Sequence, residues 1–248
     1  MLAKLKGIVA KILCNSISGE IIGFILNNKI PFFSTITVLT DSSFISPYIK
    51  SLLFWRIYEG AEAKYVMKFI NDEHDIVELG SSLGVIASLA GKYSGNKKIV
   101  CVEINSDLIP VIEKNLIYNK VENYSIQNIA IGDSVDLWFT PGLHSSHGQV
   151  GQRVSDKSIK IKAVTLSELL KIEQITDYKL ICDIEGSEID ILLSDPQSLK
   201  NCHTIIIETH KTERNGQIYQ PADMKEIIIN LGFVCVEERD VNYVFSRI

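Results

Sequence analysis

The chain has 248 residues, of which 46% are apolar and 22% are charged. At roughly 150 residues per domain, this length predicts one large domain with an extension, and the composition excludes collagen-like and intrinsically disordered chains. The net charge of −5 argues against a broad basic surface, so we expect no nucleic-acid partner.

The N-terminal segment, residues 1–60, is predicted to form a helical extension or cap. Apolar residues recur at helical spacing over residues 2–13, with lysines on the opposite face. Such an amphipathic helix packs on its own domain or on a second subunit, which would give a homodimer, or it lies on a membrane surface. A second helix-rich stretch covers residues 43–70.

Neither a membrane span nor a secretory leader is predicted. The longest apolar run near the start is IIGFIL at residues 21–26, far short of the roughly 18 to 20 residues that a span needs. Lys11 interrupts the apolar stretch at the N-terminus, and no small-x-small cleavage site follows it. The five cysteines include no C-x-x-C pair, which argues against a disulfide framework and a zinc site. We therefore expect a cytoplasmic protein without stable membrane insertion.

From residue 75 onward, short apolar β-rich runs alternate with helical stretches, which is typical of a parallel sheet covered by helices on both faces. The predicted strands are 75–79, 98–103, 123–131, 179–184, 203–208, 233–238 and 241–246. The predicted helices are 84–94, 107–118, 165–172, 187–194 and 221–231. Only Arg239 and Asp240 separate the last two strands, so these must form an antiparallel hairpin. Residues 61–248 are thus predicted to be an α/β domain with a mostly parallel, seven-stranded sheet.

The stretch from about residue 133 to residue 163 has little periodicity. Its portion GLHSSHGQVGQR, residues 142–153, is rich in Gly, Ser and His and is predicted to be a surface loop. His144 and His147 are candidate catalytic residues there, because such loops often close over substrates.

The strongest local motif is DIVELGSSLG, where a buried strand runs into a tight turn containing Gly80 and Gly84. Glycines let a ligand approach the backbone closely, and free amides at the start of the next helix can bind an anion or carboxylate. Glu103 ends the next strand, so we expect its carboxylate beside this turn, where it would accept the hydroxyls of a ribose. The dinucleotide fingerprint G-x-G-x-x-G is not met, because Ser82 stands at its second glycine. An NAD-binding oxidoreductase is therefore the alternative interpretation.

Further polar residues follow three other strands. Asp133 is placed to hydrogen-bond an adenine amino group, although a Gly-Asp turn explains it equally well. Alternation sends Asp183 and Glu185 to the same side of the fourth strand, whereas helix capping explains Glu188. His210 follows the fifth strand and is suited to remove a proton from a substrate hydroxyl.

At these positions the sequence resembles the FkbM family of S-adenosylmethionine-dependent methyltransferases, within the seven-stranded, Rossmann-like class I fold. The resemblance extends from about Tyr58 to Phe245. The matching steps, in chain order, are Tyr58-Glu59, ELGSSLG at 78–84, Glu103, AIGD at 130–133, TLSELL at 165–170, LICDIEGSE at 180–188 and ETH at 208–210. Their order and spacing are more specific than any single step, and the DIEGSE element is the most specific of them.

The resemblance implies S-adenosylmethionine as the cofactor and a hydroxyl of a small-molecule or carbohydrate acceptor as the substrate. We assign to cofactor binding Glu59, Glu78, Gly80, Ser82, Gly84, Glu103 and Asp133. We assign to catalysis Asp183, Glu185 and His210.

The sequence also departs from the family pattern. Glu78 replaces the usual Asp, Ser81 and Ser82 replace Ala-Asn, and Cys182 replaces a common Lys. These changes leave a non-catalytic domain that retains the fold as a second alternative. A divalent ion at Asp183 has no second clear ligand set in the sequence, so no metal site is predicted.

Overall fold

The computed structural model describes residues 13–132, 137–141, 148–151 and 159–247. The amphipathic helix predicted over residues 2–13 lies almost entirely outside them. Three candidate site residues of the sequence analysis also lie outside the described residues, namely Asp133, His144 and His147.

The N-terminal segment combines helices with a β-hairpin that the sequence analysis does not anticipate. Its elements are α1 (Ser16–Ile25), β1 (Lys29–Phe32), β2 (Ile36–Leu39), α2 (Pro47–Phe54) and α3 (Gly60–Phe69). The two strands pair antiparallel, and alternate residues such as Ile30 and Phe32 are fully buried, as expected for strands with one face on the core. This face packs into the same apolar cluster as Ile76 of the central sheet. The division into residues 1–60 and 61–248 stays a prediction.

The remainder of the chain alternates strands and helices. The strands are β3 (Asp75–Leu79), β4 (Ile99–Val102), β5 (Tyr124–Gln127), β6 (Ala130–Ile131), β7 (Leu137–Pro141), β8 (Gly148–Gly151), β9 (Ile159–Ile161), β10 (Ala163–Val164), β11 (Tyr178–Cys182), β12 (Cys202–Glu208), β13 (Thr212–Arg214), β14 (Gln217–Tyr219), β15 (Val234–Arg239) and β16 (Asn242–Ser246). The helices are α4 (Val85–Ala90), α5 (Ile109–Tyr118), α6 (Leu166–Glu173), α7 (Glu188–Ser194) and α8 (Pro221–Asn230). All five helices predicted in this part of the chain are confirmed.

Seven of the strands form the central sheet, in the order β15-β16-β12-β11-β3-β4-β5. Its strands run parallel except β16, which is antiparallel to both of its neighbours. The predicted fold class and the C-terminal hairpin are therefore confirmed. The first and fourth strands of the sheet along the chain, β3 and β11, lie side by side, with Leu79 opposite Cys182. This is the switch point of the topology, where open α/β sheets bind ligands at the carboxyl ends of the strands.

Two predictions between the third and fourth sheet strands need correction. The predicted strand 123–131 is divided, because the Asn128 side chain donates to the carbonyl oxygens of Glu103 and Ile104 at 2.8 and 2.9 Å and the chain leaves the sheet. Its second part, β6, pairs with β10 instead. The segment predicted as a surface loop contains β8, which pairs with β7 in a small antiparallel sheet of the order β8-β7-β9.

Apolar clusters on the two faces of the sheet fix the position of β3. Ile76 belongs to one cluster, whereas Val77 and Leu79 belong to the other. All three side chains are 0% exposed, and each contributes about 1.5 to 3 kcal/mol to folding by its burial. The strand end that carries the glycine turn is therefore rigidly placed. Within the described part of the chain, no helix combines the length and apolar character that crossing a membrane requires.

Candidate functional site

The turn after β3 has a left-handed backbone at three positions. The φ angles are +87° at Gly80, +46° at Ser82 and +71° at Gly84. A Cβ atom at Gly80 would lie 1.8 Å from the carbonyl oxygen of Asp183. Only glycine fits this contact, which brings the end of β3 against the end of β11.

Glu103 holds this turn through its carboxylate. Its Oε2 accepts a hydrogen bond from the Ser82 backbone amide, and its Oε1 accepts one from the Asn105 amide, both at 2.8 Å. The residue is only 7% exposed, and burial raises the pKa of its carboxyl while the amides oppose that shift. Glu103 lies beside the turn, as predicted from the sequence, and each carboxylate oxygen retains capacity for a further donor.

Tyr58 and Glu59 cover the turn from the N-terminal side. The Tyr58 hydroxyl lies 2.7 Å from the Ser82 hydroxyl. Glu59 has a φ of +48°, and its Oε2 is buried without a hydrogen-bond partner among the described residues. Burial raises the pKa of the Glu59 carboxyl well above its ordinary value, and the carboxylates of Glu78 and Asp183 raise it further. A positively charged group would stabilise this carboxylate.

Glu78 lies beneath the turn. It shares a face of β3 with Ile76 and is only 2% exposed. Burial raises the pKa of its carboxyl to about 7, although Ser81, Cys101 and the backbone of Ala87 favour the ionised form. Glu78 is therefore placed to support the turn from below, and its assignment to cofactor binding stays a prediction.

A pocket of carboxylates lies next to the turn. Glu62 lies on α3, Asp183 directly follows β11, and Glu208 ends β12; each offers a carboxylate oxygen within 4.8 Å of the other two. Burial raises the pKa of Asp183 to about 7, and the carboxylate of Glu208 adds to that shift. Burial also raises the pKa of Glu62 well above its ordinary value. The pocket is thus suited to a cationic or proton-donating ligand.

His210 faces this pocket with one ring nitrogen. Its Nδ1 lies 2.9 Å from Glu188 Oε1, whereas its Nε2 lies 3.5 Å from Glu185 and 3.8 Å from both Asp183 and Glu208. The hydrogen bond to Glu188 raises the pKa of His210 to about 9, against the opposing effect of burial. Because a carboxylate only accepts, the geometry assigns the Nδ1 proton to this bond.

The turn between β11 and α7 aims the DIEGSE acids at the histidine. Glu185 has a φ of +54°, and Gly186 follows with a φ of +104°. A left-handed backbone at a glutamate is unfavourable, and such strain is concentrated at functional sites. This turn brings the exposed carboxylate of Glu185 next to His210 and Asp183.

The described site residues of the sequence analysis all lie around the carboxyl ends of four neighbouring strands. Asp183, Glu185 and His210 are in mutual proximity, and the cofactor-side residues surround the glycine turn. Four further residues lie at the site that are not among those predicted from the sequence, namely Tyr58, Glu62, Glu188 and Glu208. Glu62 lies three residues after Glu59, which is the spacing of neighbours on one helix face. This spacing is the feature of the sequence that indicates Glu62 as a site residue. Glu188 contacts His210 rather than only capping a helix.

The chain matches the model of a known protein family. Residues 75–235 match the model of the methyltransferase FkbM domain, which is more than half of the chain. No curated protein sequence matches the chain.

Many solved structures match the fold at low sequence identity. M. jannaschii TYW2 in complex with AdoMet aligns with a TM-score of 0.45 at 12% identity, covering 86% of this chain and 82% of that one. Streptococcus pneumoniae Sp1610, a putative tRNA (m1A22) methyltransferase in complex with S-adenosyl-L-methionine, gives 0.44 at 12% identity, with 75% and 72% covered. A SAM-dependent methyltransferase from Aquifex aeolicus gives 0.42 at 12% identity, with 74% and 86% covered.

The matched family model runs from β3 into β15 and includes the glycine turn, the DIEGSE element and the ETH strand end. These are the elements that meet at the carboxyl edge of the sheet. The chain therefore belongs to the FkbM family of S-adenosylmethionine-dependent methyltransferases, the family that its motifs resemble.

Proposed function

We propose that this methyltransferase transfers a methyl group from S-adenosylmethionine to a hydroxyl oxygen of a small-molecule or carbohydrate acceptor. The main support for this proposal is that two parts of one site are in contact. The glycine turn with Glu103 adjoins, through Gly80, the pocket that contains Asp183, Glu185 and His210. Carboxylates line this pocket, which favours a neutral acceptor over a polyanion such as RNA.

The residues around the turn fit S-adenosylmethionine. The molecule has a ribose, an ammonium group and a sulfonium, and it supplies a methyl group that is already activated for transfer. Glu103 would accept hydrogen bonds from the ribose hydroxyls, and the unpartnered Oε2 of Glu59 would accept one from the ammonium group. Gly80 and Ser82 would support the methionine end, while the assignment of Asp133 to the adenine concerns a residue outside those described.

The acceptor side needs only to hold a hydroxyl and remove its proton, because the donor is reactive. The carboxylates of Asp183 and Glu185 lie 3.8 and 3.5 Å from His210 Nε2, so the three side chains surround one region. Glu188 holds the imidazole in place from the other side. A hydroxyl bound in this region would lose its proton to the carboxylate of Asp183 or Glu185, because an imidazole with a pKa of about 9 already holds its proton at neutral pH.

Isothermal titration calorimetry with S-adenosylmethionine and its demethylated product tests the cofactor half of the proposal. We expect both to bind at micromolar concentration, and no binding of either would defeat it. The acceptor half is tested with methyl-labelled donor and separate small-molecule, polysaccharide and RNA fractions of a cell extract. Label in RNA alone would overturn the proposed acceptor class and leave the cofactor assignment intact.

Replacement of Glu103 by glutamine is expected to weaken the binding of S-adenosylmethionine by about 1 to 3 kcal/mol, because one carboxylate oxygen is lost as an acceptor. This corresponds to a roughly 5- to 150-fold increase in Kd. The matched control is Glu113→Gln, an exposed position on α5, which should leave Kd unchanged. Calorimetry on both variants, with circular dichroism to verify folding, measures the effect. Equal affinities for the two variants would remove Glu103 from the ribose site.

A further inference from the structure

We propose that His210, Asp183 and Glu208 bind a divalent metal cation, with Glu62 as a fourth ligand. The sequence predicts no metal site, because DIEGSE alone offers no second ligand set. The fold brings Glu208 from β12 and Glu62 from α3 into one group with Asp183, and Asp183 belongs to a second group with Glu188 and His210. The proposal adds a ligand to the acceptor side of the proposed function, but its test involves neither methyl donor nor acceptor.

The distances around His210 Nε2 suit a shared cation. The oxygens of Asp183 and Glu208 each lie 3.8 Å from this nitrogen, beyond the reach of a hydrogen bond. In an octahedral site with bonds of about 2.2 Å, adjacent ligand atoms are about 3.1 Å apart and opposite ones about 4.4 Å. The two separations from His210 Nε2 fall between these values, so small side-chain rotations would bring these three atoms onto one ion.

Glu188 gives the histidine the orientation of a metal ligand. Its Oε1 accepts a hydrogen bond from Nδ1 of His210 at 2.9 Å, which leaves Nε2 directed at the pocket, where a bound cation would replace the Nε2 proton. Histidines that bind metals almost always donate their other ring N–H to a carboxylate, a carbonyl or water. Glu188 is therefore a positioning residue.

Unsatisfied buried oxygens give an independent indication of a missing ligand. The Glu188 side chain is 0% exposed, and its Oε2 has no hydrogen-bond partner within the described ranges. The Asp183 side chain is 30% exposed, but its Oδ1, the oxygen that faces His210 Nε2, is also buried and has no hydrogen-bond partner among the described residues. Native proteins rarely leave buried polar atoms unpaired without an ion, a water or a functional reason. A cation in the pocket would bind Asp183 Oδ1 directly and offset the charge of Glu188.

The chemistry of the ligand set indicates the kind of ion. One imidazole with three carboxylates has mainly hard oxygen donors, which suit Mg²⁺ and Mn²⁺, and the single nitrogen favours Mn²⁺ of the two. An ion here would bind the acceptor hydroxyl and lower its pKa. The exposed Glu185 carboxylate, which is not among the ligands, would then accept the proton.

The test is a titration of the metal-stripped full chain with Mn²⁺ at pH 7.5. Electron paramagnetic resonance of free Mn²⁺ should show one ion bound per chain at micromolar concentration. Pulsed measurements on the wild-type complex should show coupling to an imidazole nitrogen, which the His210→Gln variant should lose. His203→Gln is the matched control, because His203 lies 3.4 Å from Asp177 in an exposed pair, and it should retain the coupling.

Variants of the carboxylates complete the test. Asp183→Asn and Glu208→Gln should each weaken Mn²⁺ binding at least about 10-fold, and Glu188→Gln should weaken it about 10-fold. Binding absent at millimolar Mn²⁺, or nitrogen coupling that survives His210→Gln, would overturn the proposal. In that case His210 is a protonated counter-ion of the acidic pocket. Calorimetry with S-adenosylmethionine is independent of this result, so failure of the metal site is distinguishable from failure of the proposed function.

Discussion

Replacing Gly80 by alanine is expected to lower the free energy of unfolding by about 3 kcal/mol or more and to abolish binding of S-adenosylmethionine. A left-handed backbone at a residue with a Cβ costs about 1 to 2 kcal/mol, and the φ of Gly80 is +87°. The added atom would also lie 1.8 Å from the carbonyl oxygen of Asp183. That carbonyl belongs to the backbone at the end of β11, so relief of the clash requires β3 and β11 to separate at the switch point.

Gly60→Ala provides the matched control for Gly80→Ala. A Cβ at Gly60 meets no atom within 4 Å, and its φ is not positive. Such a substitution changes stability by less than about 1 kcal/mol, often favourably, because it restricts the unfolded chain. Urea denaturation and calorimetry on both variants measure the two effects. If Gly80→Ala unfolds at the wild-type urea concentration and binds the cofactor normally, the close approach of the two strand ends does not shape the site.

The sheet and much of the site were predictable because their signals are local. Short apolar runs specify buried parallel strands, and the two-residue connection at Arg239 and Asp240 permits only a hairpin. Once the strands are known, the carboxyl edge follows, and residues such as Glu103 and His210 are placed by their position at strand ends. The positions of these residues therefore follow from the sequence, whereas their contacts do not.

The contacts themselves depend on distances between elements far apart in the chain. Glu62 on α3 meets Asp183 and Glu208 only because α3 packs beside these strand ends. Glu188 looked like an ordinary acid in the first turn of a helix, yet its carboxylate holds His210. Sequence spacing does not encode such pairings, and for that reason the metal proposal arises from the structure alone.

The N-terminal hairpin was missed for a different reason. The segments KIPF and ITVL are only four residues long, which is too short for periodicity to distinguish a strand from a buried loop. Their pairing with each other is local, but their position depends on α5. The side chains of Asn115 and Asn119 accept hydrogen bonds from the backbone amides of Leu39 and Thr37 at 2.7 and 3.0 Å. One asparagine on α5 and one directly after its last residue therefore anchor the hairpin.

Glu78 should make the stability of the protein depend on pH. Its carboxyl has a pKa of about 7 in the folded chain, against the ordinary 4.5. The folded state therefore binds more protons than the unfolded state between these values, and the associated stability is present below pH 4.5 and lost as the pH rises through 7. A shift of this size corresponds to about 3 kcal/mol. The cause is burial, since an ionised carboxylate loses its hydration in the apolar layer beneath the turn.

Glu78→Gln should remove this loss, because an amide does not ionise. The difference in the free energy of unfolding between the variant and wild type should increase by about 3 kcal/mol from pH 5 to pH 8.5, whatever that difference is at pH 5. Asp183 titrates in both proteins, whereas the Glu78 charge also raises the pKa of Glu59 and Glu62. Loss of that charge lowers both pKa values, so it adds to the difference between the two curves in the same direction. Urea denaturation across this range is the measurement, and Glu113→Gln should give a flat difference. If the difference for Glu78→Gln also does not change with pH, the Glu78 carboxylate is solvated or neutralised in the folded protein. The position of Glu78 beneath the turn would then need another explanation.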